Sequence, residues 1–145
     1  MTKVATALKS LLADVFIFYL KAHGYHWNVE GQDFSQYHGL FGEIYEDVYG
    51  SIDPIAENIR KLDDVAPFRM ERLAKLAKIE DKASSSNNAK ALAKDLLNHN
   101  EKLLEQLKKA FDVANEENEQ GIANFLAERI DMHQKWSWQL KASTK

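Results

Sequence analysis

The chain has no cysteine. Disulfides and thiolate metal sites are therefore excluded. Any metal must be held by imidazole and carboxylate, which suits iron, manganese or zinc. The same absence fits a reducing compartment. No apolar run approaches the roughly 20 residues that a bilayer-spanning helix needs, so no membrane partner is expected. The start, Met1 to Ala5, carries one charged side chain and leads straight into an amphipathic pattern. It does not read as a secretory signal, and a cytoplasmic location is expected. A net charge of −3 argues against a body built to bind nucleic acid. The 145 residues fit a single domain, 1–145, with enough chain to bury a core.

What the sequence does have is helical periodicity. Leu8, Leu11, Leu12, Val15, Tyr19, Ala22 and His26 recur at three- and four-residue steps. Phe16, Phe18 and Leu20 add further apolar faces, the pattern of a helix deep in a bundle or of a subunit in an assembly. This first helix should end near Asn28 to Gly31. Asp33 with Gln36 reads as a capping box opening a second helix. Tyr37, Phe41, Ile44, Val48, Ile52, Ile55, Ile59 and Leu62 stripe that helix to about Leu62. Pro54 lies inside it, and a kink is expected between Gly50 and Asp53. A long connection, Asp63 to Asn88, contains a short amphipathic piece from Met70 to Ile79. A third helix is expected from Ala89 to Ala114, and a fourth after the polar stretch Asn115 to Gly121. Short links join the first pair of long helices and the second pair. The long middle connection can cross the bundle end to end, which is the ferritin-like wiring of a four-helix bundle. The alternative is an up-down bundle with a loose middle loop.

Four residues carry the candidate chemistry: His26, His38, Asp53 and Glu57. The turn between the first two helices can bring His26 and His38 together. Asp53 and Glu57 are one helical turn apart and can chelate one cation together. His38 and Asp53, however, are fifteen positions apart on one helix, about 22 Å at ~1.5 Å per residue. A metal reaches its ligands at about 2 Å. Either there are two half-sites, or two chains pack antiparallel and the histidines of one meet the carboxylates of the other. Two-fold symmetry then gives two identical sites per dimer. The chain contains no Glu-x-x-His, so a di-iron centre inside one bundle is not expected.

The run His26-Trp27-Asn28-Val29-Glu30-Gly31, followed by Phe34, His38, Asp53 and Glu57, resembles the signature of the Dps family, the mini-ferritins. The resemblance covers nearly the whole chain. It implies an all-α, ferritin-like four-helix bundle with a short extra helix in the long connection. It also implies a homo-oligomer, a dodecameric cage built from two-fold dimers. The implied activity is that of a ferroxidase, an oxidoreductase in iron storage and oxidative stress. Fe(II) is oxidised by hydrogen peroxide or oxygen at an intersubunit site of His26, His38, Asp53 and Glu57, and ferric mineral is stored within. Zinc or manganese is expected to substitute for iron. Trp27 would sit beside the site and take up oxidising equivalents, and His23 is an auxiliary candidate. The family usually has a further carboxylate one turn after the second histidine, where this chain has Gly42. That departure motivates an alternative: a cage with weakened ferroxidase activity, serving as a metal buffer or scaffold.

Other residues have plainer readings. Asp53 before Pro54 also looks like an N-cap followed by proline at the first helical position. His99 and His133 fall on apolar stripes and read as core or interface histidines. Trp136 and Trp138 read as packing residues. Glu116, Glu117 and Glu119 either favour a helix start or, with Asn124 and Glu128, form an acidic funnel for ferrous ions. Many relatives bind DNA through a lysine-rich tail and are nucleoid-associated. Here Met1 to Lys3 precede the first helix and only Lys141 and Lys145 lie near the other end. DNA binding is expected to be weak or absent.

Overall fold

The computed structural model describes residues 2–145. It contains α1 (Lys3–Asn28), α2 (Phe34–Lys61), α3 (Met70–Leu76), α4 (Ala89–Glu116) and α5 (Gln120–Thr144). The described residues form no strand. Thr2 caps α1, its hydroxyl accepting from the Ala5 amide at 3.0 Å. Asn88 caps α4, its side-chain oxygen accepting from the amides of Lys90 and Ala91 at 3.1 and 3.3 Å. Such caps contribute about 1 kcal/mol each.

The four long helices bury the stripes read from the sequence. Leu8, Leu11, Val15 and Phe18 of α1 meet Phe41, Ile44, Val48, Ile55 and Ile59 of α2 and Leu92, Leu96, Leu103 and Leu107 of α4 in one apolar cluster. Burying each such side chain contributes roughly 1.5–3 kcal/mol. Short turns make α1 and α2, and α4 and α5, into hairpins. A lone parallel bridge joins Glu30, before α2, to Asn88, before α4. The starts of α2 and α4 therefore share one end of the bundle, and the two helices run parallel.

The connection from α2 to α4 is fastened along α1 as it crosses. Lys9 donates to Asp64 at 2.8 Å. Asp14 Oδ1 accepts from the amides of Lys78 and Ile79 at 2.9 and 3.0 Å. The Tyr25 hydroxyl accepts from the Ser84 amide at 2.8 Å and donates to Asp95. Positions 9, 14 and 25 of α1 thus meet 64, 78 and 84 in order, so the segment spans the bundle and is not a loose loop. Burial pushes the Asp14 carboxyl up, against the pull of its two amide donors.

Three local expectations are corrected. Asp33 adopts a left-handed conformation (φ 64°, ψ 28°), and its side chain makes no capping hydrogen bond. With Asp33 left-handed and Gly31 at φ 103°, the extended N-cap backbone that a capping box uses is absent, and the box does not form. The second helix runs unbroken through Pro54, so Asp53 is not an N-cap. The carbonyl that proline leaves without a donor belongs to Gly50, which is exposed and can be solvated. Trp136 is buried as expected, but Trp138 is 64% exposed.

A polar network, part-buried at Asp47 and Arg129 and buried at Asn100, links α2, α4 and α5. Arg129 makes a bidentate pair with Asp47 at 2.9 and 2.8 Å, and Trp136 Nε1 donates to the same carboxylate at 2.8 Å. Burial raises the Asp47 carboxyl, but the Arg129 guanidinium outweighs it and holds the group below its ordinary value. Asn100 Nδ2 donates to the His133 carbonyl and to Ser137 Oγ.

Candidate metal centre

The turn between α1 and α2 brings the two sequence-predicted histidines into contact. Their rings stack with centroids 3.8 Å apart and an interplanar angle of 17°. His26 Nδ1 lies 2.7 Å from the backbone oxygen of His38, and His38 Nδ1 lies 2.7 Å from the backbone oxygen of His26. A carbonyl oxygen only accepts, so each Nδ1 carries the proton. With Nδ1 donating, Nε2 is the nitrogen of each ring left for a ligand. A metal-ligating histidine is held in this way, with its other nitrogen donating to a backbone carbonyl.

Gly42 lies directly beneath this pair. A β-carbon there would stand 3.1 Å from His26 Nδ1 and 3.2 Å from His26 Cε1. The His26 ring uses the space that a side chain at 42 would enter. Glu43 and Glu46 are exposed, and α2 is undistorted around them.

Asp53 and Glu57 are both exposed on α2. They are not brought to the histidines, because the intervening helix is continuous. Among the described residues no group of three His, Asp or Glu side chains in one chain could hold a metal ion. Glu57 instead lines a cleft of about 400 Å³ between the end of α2 and the start of α5, with Lys61 and Glu119. Glu116, Glu117, Asn124 and Glu128 are exposed nearby on the chain. A cavity of about 650 Å³ lies between α1, α3 and residues 77–87, and none of the four candidate ligands lines it.

Trp27 is 60% exposed and stands 4.3 Å, ring to ring, from His23. His23 Nδ1 is engaged by the Tyr19 hydroxyl at 2.9 Å. Its ring stacks on Tyr45 at 3.8 Å and 7°. Sequence reasoning did not identify Tyr19, Tyr45 or Tyr49 as neighbours of the site. Their spacing offered a signal: Tyr45 and Tyr49 fall on the same face of α2 as His38.

The chain matches the ferritin-like domain family over residues 5–145. It is 31% identical to a low temperature-induced protein of Nostoc, over 96% of this chain and 78% of that one. It is 29% identical to the DNA protection during starvation protein of Helicobacter pylori, over 97% of each. Among solved structures, the Dps protein of Vibrio cholerae O1 superposes with a TM-score of 0.92 at 31% identity, covering 99% of this chain and 89% of that one. That protein is described as one of the ferritin-like diiron-carboxylate proteins. Dps from Thermosynechococcus elongatus gives a TM-score of 0.93 at 26% identity, covering 99% and 90%. The crossed four-helix bundle, its short additional helix and these matches along the whole chain place the protein in the Dps family of ferritin-like proteins.

Proposed function

We propose that this protein sequesters iron by oxidising Fe(II) at a site completed by two copies of the chain, and stores the ferric product inside a dodecameric cage. The observation that carries the reading is the reciprocal histidine lock. It engages both Nδ1 atoms with backbone and leaves both Nε2 lone pairs available to a ligand from outside the chain. In the proposed dimer, His26 and His38 face Asp53 and Glu57 of the partner subunit. The spacing of these residues on α2 supports this, since about 22 Å of helix separates them within one chain. The exposure of Asp53 and Glu57 also supports it, since among the described residues no hydrogen bond or ion pair claims them.

Ferrous iron is the substrate. Two Fe(II) ions give one electron each to hydrogen peroxide, which with two protons becomes two waters. The imidazoles would ligate through Nε2, and the carboxylates would offset the growing charge of Fe(III). Zinc and manganese fit the same donor set. Trp27, exposed beside His23, is in place to absorb stray oxidising equivalents.

A stopped-flow measurement of ferric absorbance after mixing with Fe(II) and peroxide tests this. The His26→Ala, His38→Ala double variant should oxidise iron no faster than solution does; an unchanged rate refutes the reading. Sizing in solution should give an assembly far larger than a dimer.

Gly42 favours a second reading, a cage that holds metal but oxidises it slowly. It predicts tight Co(II) binding at the interface with near-background iron oxidation. DNA binding is proposed to be weak or absent at physiological salt, because the chain is net negative. A gel shift persisting at about 150 mM salt overturns that.

A further inference from the structure

Peroxide needs two electrons, and one Fe(II) supplies one. The site proposed above lacks the carboxylate that Gly42 replaces, so its donor set suits one iron better than two. A lone iron that splits the O–O bond releases hydroxyl radical unless a second electron arrives at once.

Tyr19 and His23 of α1 and Tyr45 and Tyr49 of α2 form a continuous set of ring contacts. Tyr45 is 5.2 Å from His26, centroid to centroid. Tyr45 stacks flat on His23 at 3.8 Å. Tyr19 lies 6.3 Å from Tyr45 and 5.1 Å from Tyr49. Of these tyrosines, Tyr19 alone, among the described residues, has a side-chain base at its hydroxyl, with His23 Nδ1 at 2.9 Å. An oxidised phenol is a strong acid. The electron vacancy therefore settles where the proton has an acceptor within hydrogen-bond reach.

We propose, on the basis of the ferroxidase reading above, that Tyr19 supplies the second electron and His23 holds its proton. In the first step Fe(II), peroxide, Tyr19 and neutral His23 give Fe(III), two hydroxide ions, the Tyr19 phenoxyl radical and protonated His23. The O–O bond and the Tyr19 O–H bond break, and the His23 Nδ1–H bond forms. In the second step a further Fe(II) reduces the radical, and the proton returns from His23 to Tyr19. The sum is two Fe(II) and one peroxide giving two Fe(III) and two hydroxides. Tyr45 carries the electron between Tyr19 and the His26 side of the site. His23 is thus a positioning and proton-holding residue and not a metal ligand.

The test is rapid-freeze electron paramagnetic resonance on the assembled full chain, mixed with one Fe(II) per subunit and excess hydrogen peroxide. The expected result is a tyrosyl signal that Tyr19→Phe abolishes and His23→Leu weakens. Co(II) binding should be unchanged in both variants, and spin-trapped hydroxyl radical should rise. A structural role for Tyr19 would not move the radical signature while sparing Co(II) binding. A signal that survives Tyr19→Phe, or His26-dependent iron oxidation with no protein radical, overturns the relay and leaves the ferroxidase reading standing. Iron oxidation unaffected by loss of His26 and His38 overturns both.

Discussion

The protein has two pairs of histidines held in opposite ways. His26 and His38 sit half-exposed at a helix turn, with one nitrogen of each donating to backbone and the other free. His99 and His133 are buried beside Phe18. His133 has both nitrogens occupied: Nδ1 donates to Asn100 at 2.8 Å, and Nε2 accepts from Arg129 at 3.0 Å. His99 has neither nitrogen partnered. Burial pushes His99 down to about 4, and burial with the Arg129 charge pushes His133 down to about 3. Both are neutral at physiological pH and serve the core. The same side chain becomes ligand-ready or structural according to whether its second nitrogen is open at the surface or shut into the core.

The sharpest way to break this contrast is to delete the outer pair. His26→Ala with His38→Ala should reduce site-dependent iron oxidation by on the order of 100-fold or more, with little change in thermal unfolding. Next in size is Arg129→Ala, which strands a largely buried Asp47 carboxylate, 20% exposed. Denaturant unfolding should report a loss of about 3–5 kcal/mol, while Co(II) binding at the outer pair is retained.

Acid tests the inner pair. Below pH about 6.5 the unfolded chain binds protons at His99 and His133 that the folded chain refuses, because their folded values are depressed. Stability from these groups is complete above that pH and is lost as pH falls toward about 4. Asp14, raised by burial, titrates in the opposite sense. The clean measurement is therefore the difference between parent and His99→Leu across that window, and the variant should lose less. The smallest effect is expected from Gly42→Ala. Its new methyl would crowd His26 at 3.1 Å and lengthen the Nδ1 hydrogen bond. Isothermal titration with Co(II) should show about tenfold weaker binding.

Much of the fold was legible because apolar residues at helical spacing have one economical place to go. Leu8, Leu11 and Val15 or Leu92, Leu96 and Leu103 settle their helices almost unaided. The errors arose where backbone conformation overrides side-chain pattern. Asp33 has the right neighbours for a cap but the wrong φ. Pro54, read as lying inside the helix, does lie inside it; only the alternative of a break capped by Asp53 failed, and the carbonyl that Pro54 frees lies at exposed Gly50. The candidate ligands were legible from type and spacing. The lock between His26 and His38 was not, since it depends on backbone oxygens that a sequence does not display. The link from Asp47 to Arg129 and Trp136 was hidden for a different reason: it needs the relative register of α2 and α5, which are 82 and 89 positions apart at those contacts.

The unbroken run of α2 between His38 and Asp53 has a consequence for inheritance. If each site draws histidines from one chain and carboxylates from another, two differently damaged chains can repair one another. A mixed dimer of a histidine-dead and a carboxylate-dead chain holds one site with every ligand lost and one with every ligand intact. Two alleles that are each inactive alone would then complement when expressed together.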